Sequence, residues 1–533
     1  TVIKTIIEMV PDIQFVDRYL LDNVNSVGND IIRTWFLDLE MDARIEFPQP
    51  NEAKYAIIMI TFYDDLNDKF VLFTWRNDLT LSKFTKKINV SEIMGEKELS
   101  DLEQVGIKIK REIDLLIYTF SSEKLMLGYF LRMLKIKDPD FIVGWNVIRF
   151  DMQYLINRLK NLGMNPNDLS NFHSAFYKKD TNPQYEKAEI KGRSVYDLGK
   201  IYERFSSMFA KVQTSLESYS LNAVSERELN LHKVKLTESI GDLWEKDLPK
   251  LLDYAIVDVE LMRLLNDKVK FIDILNEIRK LFKVRPERVN EMSYVVDMIV
   301  LRYCKKMNLV LPSRKFNEYS EGFTGALVKK PTPGTYKNVA IFDIKSLYPS
   351  ILITYNISPD TITNTNKNDE NTITVNEAIY IIHKKGVLPQ ILEKLSLKRD
   401  QLKLSQKESL VESKEWRILN IRQNIIKLVN NSTYGVLGYS KSRFYKKEMA
   451  ESVTFIGREI LIFVESYVKN FGYEMMYCDT DSVFISLGNM EKDIAVQKTE
   501  ELSKILDKSF DIFVSKFGLN KHCFKFNLES ISQ

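Results

Sequence analysis

The sequence predicts a mixed α/β multidomain protein, a class read from three observations. At 533 residues the chain exceeds what one hydrophobic core serves, so three or more domains or subdomains are expected. Short β-rich runs with period two open it, and amphipathic helical stretches follow. Both patterns return in the second half, after a turn-rich joint.

In chain order, Thr34 to Leu39, Ala56 to Phe62 and Lys69 to Thr74 alternate with polar turns at Asp64-Asp65 and Asn67-Asp68, which predicts a mixed sheet beginning as a meander. Helical periodicity spans Glu123 to Leu134 and Leu248 to Leu281, the latter with Leu251, Leu252, Ile256, Leu261 and Leu265 on one apolar face. The joint Pro331-Thr332-Pro333-Gly334 precedes a β-rich block around Tyr336 to Phe342. Pro389 to Tyr434 holds no Gly or Pro after its first residue, and its middle, Ser405 to Lys414, is polar enough to turn. Two antiparallel helices projecting from a sheet are predicted. Glu474 to Ile485 reads as a hairpin around Asp479-Thr480-Asp481.

Composition excludes some roles. With 44% hydrophobic and 28% charged residues and no apolar run long enough to span a bilayer, no membrane role is indicated. Lys and Arg total 76 against 73 Asp and Glu, so any nucleic-acid site must be a local patch. Cys304, Cys478 and Cys523 form no CxxC pair; this argues against a disulfide framework or structural zinc and fits a reducing, intracellular compartment.

The chemistry-bearing residues are acids set in apolar strands. In Trp35 to Glu40, alternation puts Asp38 and Glu40 on one strand face and Leu37 and Leu39 on the other. Tyr254 and Asp258 stand four apart on one helical face. Asp343 ends an apolar strand, and Asp479 and Asp481 flank a hairpin turn. Each alone also fits a turn cap or a solvent face. Together, acids against apolar strands need a partner, and divalent cations are a fitting one.

The segments Asp343 to Ile351, Lys427 to Gly435 and Tyr477 to Ser482 resemble the three polymerase motifs of the family B DNA-dependent DNA polymerases, in the family's order. Asn356 to Thr361, and Ala450 to Thr454 leading to Gly457-Arg458-Glu459, are supporting matches. Trp35 to Glu40, Asn146 to Asp151 and Tyr254 to Asp258 resemble the family's DEDDy 3′→5′ exonuclease, and the likeness runs from about Ile13 to Glu529. It implies a ribonuclease-H-like exonuclease domain over 31–285, a right-hand palm with an antiparallel sheet over 286–388 and 436–533, and helical fingers over 389–435. Residues 1–30 would be the remnant of an N-terminal domain.

The resemblance also implies roles. Asp343 and Asp481 would hold two Mg²⁺ ions, with Asp479 as acidic support and Mn²⁺ as a substitute metal. Tyr348 would lie under the sugar and select deoxynucleotides. Arg399, Lys403, Lys427 and Asn431, with Ser346 and Leu347, would bind the dNTP, and Lys427 could protonate the departing pyrophosphate. Lys394 and Lys407 read as a solvated basic face. Asp38, Glu40, Asp151 and Asp258 would bind two further metals while Tyr254 orients the attacking water. Asn146, Phe323, Gly325, Tyr434 and Gly435 would touch primer-template DNA.

Three departures from the family pattern are expected to matter. The N-terminal domain is represented only by its exit, and Cys478 replaces the glycine usual before the hairpin acids. The chain also ends before the family's Lys-x-Tyr element and thumb, so a gene fragment and a split polymerase completed by a separately encoded thumb polypeptide both remain open, as does a sliding clamp. Two rival functions stay in view: a 3′→5′ exonuclease alone, and a non-catalytic primer-template-binding subunit.

Overall fold

The computed structural model describes residues 13–28, 31–179, 187–205, 217–314, 322–364 and 370–532; part of the expected 1–30 segment lies outside them. The chain divides into two compact units, Gly28–Asn276 and Thr1–Val27 with Glu277–Gln533.

Among the described residues, the first unit is built on nine strands: β1 (Thr34–Met41), β2 (Ile57–Asp64), β3 (Lys69–Trp75), β4 (Ser82–Asn89), β5 (Glu112–Phe120), β6 (Phe141–Gly144), β7 (Ala175–Lys178), β8 (Lys187–Ile190) and β9 (Ser194–Asp197). Seven form one mixed sheet in the order β4-β5-β3-β2-β1-β6-β9, while β7 and β8 pair separately. β1, β2 and β3 are the expected antiparallel meander; β6 and β9 run parallel to β1.

Trp35, Leu37 and Leu39 pack on one side of β1, with Trp35 stacked on Phe62 at 4.1 Å between ring centres. Helix α1 (Glu123–Lys137), capped by the Ser122 hydroxyl, brings Phe130 and Leu134 against them, and α2 (Asp151–Asn161) joins the same core. The opposite face carries the acids and is covered by α3 (Leu248–Val269), which Asp247 caps and Pro249 starts.

The single helical stretch expected over Leu248 to Leu281 is in fact two helices. Lys270 adopts a left-handed conformation (φ 64°), and its N–H bonds to Asn266 O. The Asn266 side chain then accepts from Ile272 N, at the head of helix Phe271–Phe282. No Gly or Pro signals this break, because a side-chain cap makes it.

The second unit contains helix α4 (Met292–Lys306) and a five-stranded antiparallel sheet of order β10-β15-β16-β11-β17. These strands are β10 (Val328–Lys329), β11 (Val339–Ile344), β15 (Glu474–Asp479), β16 (Ser482–Ser486) and β17 (Phe526–Ser532). The short strands β12 (Ile362–Thr363), β13 (Thr372–Val375) and β14 (Ala378–Ile381) form a small sheet of their own. Helix α5 (Leu347–Thr354) follows β11 at once.

Two long helices, α6 (Val387–Glu408) and α7 (Lys414–Leu437), occupy the stretch where a helical pair was predicted. The Ser413 side chain caps α7. Bonds from Asn430 to Ser396 and from Arg399 to Gln423 tie them side by side in antiparallel register. Lys394, expected on a solvated face, is exposed yet lies 4.5 Å over the Tyr303 ring. Helices α8 (Lys447–Lys469) and α9 (Lys492–Ser515) also belong to this unit, as does the helix Phe15–Asn23.

Candidate active sites

The first unit gathers its acids on the α3-covered face. Asp38 and Glu40 project there from β1, and Asp258 comes down from α3, so that one carboxylate oxygen from each lies within 4.8 Å of the other two. Tyr254 stands one helical turn before Asp258, on the same face of α3.

Asp151 stands beside this group. It begins α2, and its Oδ1 accepts from Leu39 N at 3.3 Å. Gly144 makes the approach possible: a Cβ there would lie 2.6 Å from Leu37 O and 2.8 Å from the Val147 side chain. Asn146, exposed and left-handed at φ 60°, donates its N–H to Asp197, whose same oxygen caps the segment at Gly199.

Burial and mutual repulsion dominate the electrostatics. Burial first, then the neighbouring Asp258, push Asp38 up to about 7, and Glu40 and Asp151 are also raised well above the usual carboxylate range. Burial and the three carboxylates raise the Tyr254 phenol, which stays protonated.

Sequence reasoning missed Lys233. Its Nζ lies 2.5 Å from Asp258 Oδ2 and 5.4 Å from the centre of the Tyr254 ring. Burial opposes its charge, but Asp258, Asp38 and Glu40 outweigh burial and hold the ammonium above its ordinary range. The donor set fits a divalent cation on three counts: hard oxygen ligands, a buried Asp258 Oδ1 without a hydrogen-bond partner, and a built-in ammonium already standing among the carboxylates.

In the second unit, Asp343 on β11 is half-buried near Asp481, in the turn between β15 and β16. Ile344 N donates to Asp481 O at 2.8 Å, Thr480 takes φ 57°, and its N–H bonds to Leu327 O. Asp479 is exposed and accepts from Thr480 Oγ1. A fourth acid, Glu529, was missed: the β11–β17 register passes from Ile341↔Ser530 to Phe342↔Leu528, which leaves Glu529 as a bulge residue. Burial, then Asp481 and Glu529, push Asp343 up to about 6, while Lys427 opposes the rise. Burial also raises Asp481, and Lys427 again opposes. The donors are hard oxygens that repel one another, which fits a divalent cation, though among the described residues only Asp38, Glu40 and Asp258 form a close group of three.

Lys427, Asn431 and Gly435 lie along one exposed face of α7. Lys403 is lowered by burial, then by Arg399, Lys345 and Lys427, so these four cations share one region. Ser346 is left-handed at φ 50°, Leu347 buries its side chain, and the Tyr348 ring lies 4.3 Å from that of Tyr434. Phe323 lies against Gly438, where a Cβ would come within 3.3 Å of its ring. Arg458 donates to Thr324 O at 3.0 Å and Gly325 O at 2.6 Å, pinning that segment to α8. Cys478 is buried, flanked on its strand by the less buried Tyr477 and Asp479.

A protein with an acidic site of this kind in each of two units carries two separate candidate metal centres. The family model for DNA polymerase family B matches residues 289–519, and that for the exonuclease domain of DNA polymerase family B matches 12–224. The DNA-directed DNA polymerase of Escherichia phage RB69 is 28% identical over 94% of this chain and 62% of its own length. The DNA polymerase of Pyrococcus glycovorans is 28% identical over 93% and 59%, and that of Thermococcus sp. (strain 9oN-7) 30% over 74% and 51%. The chain belongs to the family B DNA polymerases. It spans about three fifths of the length of the first two relatives.

Proposed function

We propose that this chain adds deoxynucleotides to a primer 3′-end under the direction of a template, and removes 3′-terminal nucleotides by hydrolysis in a second site. The observation that carries this reading is that Asp343 and Asp481 in one unit, and Asp38, Glu40 and Asp258 in the other, form separate acidic sites. Domains would follow as exonuclease over 31–285, palm over 286–388 and 436–533, and fingers over 389–435.

Primer-template DNA and dNTPs are the substrates. Two Mg²⁺ ions per site, replaceable by Mn²⁺, would be held by Asp343 and Asp481 and by Asp38, Glu40, Asp151 and Asp258; when bound they supply Lewis-acid activation of the attacking oxygen and charge stabilisation at the leaving oxygen. In the synthetic site, Lys427, Arg399 and Lys403 bind the triphosphate, with Asn431 beside them. Lys427 gives a proton to the departing pyrophosphate, and Tyr348, against Tyr434, limits the space at the sugar 2′ position. In the hydrolytic site, Tyr254 keeps its proton and orients water, while Asn146 steadies the strand end. No helix among the described residues is long and apolar enough to cross a membrane, and a cytoplasmic place of work suits the proposed reaction.

A labelled primer-template with Mg²⁺, with and without dNTPs, tests the proposal on wild type, Asp481→Ala and Asp38→Ala. Extension lost only in Asp481→Ala and shortening lost only in Asp38→Ala is the expected pattern. Shortening without extension in wild type would reduce the function of this chain to the nuclease.

A further inference from the structure

Thr61 stands on β2 directly opposite Asp38. Opposed residues of an antiparallel pair project from the same sheet face with Cβ atoms about 4.5–5.5 Å apart. Thr61 is 1% exposed, and its hydroxyl has no hydrogen-bond partner.

Of the neighbouring sheet threonines, Thr74 Oγ1 donates to Ile58 O at 3.0 Å and Thr119 Oγ1 to Thr80 O at 2.7 Å, while the buried Thr34 hydroxyl on β1 is without a partner like that of Thr61; of these two, Thr61 is the one set opposite an acid of the cluster. Packing alone gives no reason for a hydroxyl here, since valine has the same shape, suits a buried strand better and carries no unpaired polar atom.

The face on which this hydroxyl lies is the reacting one. Arg263 of α3 sits 6.0 Å from the centre of the Tyr63 ring, two residues along β2 from Thr61, and Asp258 of the same helix joins Asp38 and Glu40. Asp258 Oδ1 is a second buried oxygen without a partner on this face. Two orphaned oxygens beside three mutually repelling carboxylates have a common explanation in a hydrated divalent cation, around which the carboxylates turn to their working positions.

Resting on the exonuclease reading of this face, we propose that Thr61 is a positioning residue whose hydroxyl holds the Asp38 carboxylate in the orientation that a bound divalent cation requires. Groups that orient metal ligands in this way typically change metal affinity by about 10–100-fold when removed.

The test uses the full chain carrying Asp343→Asn and Asp481→Asn, so that Mn²⁺ uptake, followed by electron paramagnetic resonance, reports the exonuclease face. Thr61→Val should weaken Mn²⁺ binding by about tenfold or more, while its melting temperature in EDTA equals or exceeds that of the parent. Thr61→Ser, which keeps the hydroxyl, should bind Mn²⁺ as the parent does. Parent-like binding by Thr61→Val overturns the proposal, as does weakened binding by Thr61→Ser. Loss of binding accompanied by a lower melting temperature in EDTA overturns it too, since it would mean a packing role. A parent that takes up no Mn²⁺ removes the exonuclease reading itself and the role of Thr61 with it, an outcome recognisable before any Thr61 variant is compared.

Discussion

The Lys233 ammonium lies 2.5 Å from Asp258 Oδ2, so the acidic cluster of the first unit contains a cation of its own against one of its three acids. Removing it leaves Asp258, Asp38 and Glu40 to repel one another. Lys233→Met should therefore destabilise the chain in EDTA at pH 8. Breaking a fully buried pair costs about 3–5 kcal/mol; the Lys233 side chain is 31% exposed, and solvent screening brings the expectation to about 1–3 kcal/mol. Millimolar Mg²⁺ should restore part of the loss. Thermal melts with EDTA and with Mg²⁺ decide this, and equal melting of the variant and wild type in EDTA would sink it.

Asp343 predicts a pH-dependent stability. Its folded value of about 6 lies above its ordinary 3.8, through burial and the proximity of Asp481 and Glu529. A carboxyl raised on folding contributes stability that is full below about pH 4 and lost as pH rises through about 6. Above that, ionised Asp343 works against the cation-free fold. In a sealed site the rise would amount to about 3 kcal/mol, but Asp343 is half-buried and screening reduces this to about 1–2 kcal/mol. Asp343→Asn should melt above wild type at pH 8 in EDTA, the gap closing toward pH 4. A gap independent of pH would show that the carboxylate is not the cause.

What the sequence disclosed of these sites follows from periodicity. Asp38 and Glu40 were legible because a strand repeats every two residues, and Tyr254 with Asp258 because a helix brings every fourth residue back. Lys233 lies in the irregular stretch between Leu229 and Ile240, where spacing predicts no direction. Glu529 turns toward Asp343 through a bulge, which breaks the alternation that would have placed it. Thr61 looks like any β-branched strand residue until the register sets it opposite Asp38. The break at Lys270 was hidden because Val269 and Phe271 on either side are both buried, so the apolar pattern continues through it.

Gly435 separates a structural from a functional role. It lies on the exposed face of α7 with Lys427 and Asn431, and a Cβ added there would meet nothing within 4 Å. Gly435→Ala should stabilise the helix by about 0.5–1 kcal/mol. If that face receives DNA, primer extension should nevertheless fall several-fold, with primer shortening unchanged. Unchanged extension in the more stable variant would take Gly435 out of the DNA-contacting set.

Asp297 holds two arginines at once. Its carboxylate accepts from Arg443 Nε and from Arg314 Nη2, each at 2.5 Å, and Arg443 is itself held at Pro312 O. The Arg443 side chain is 1% exposed and Asp297 lies on α4, so this pair ties that helix to the segment between α7 and α8. Asp297→Ala strands a buried guanidinium and should cost about 3–5 kcal/mol. Replacing the buried partners with apolar residues of similar shape, Asp297→Leu with Arg443→Met, should recover much of that loss, because the buried Arg443 charge goes with its partner while Arg314, with its side chain 25% exposed, still reaches water. Urea denaturation of the single and double variants measures this. If the double variant is as unstable as the sum of its parts, the two residues contribute independently and the pair is not what joins these segments.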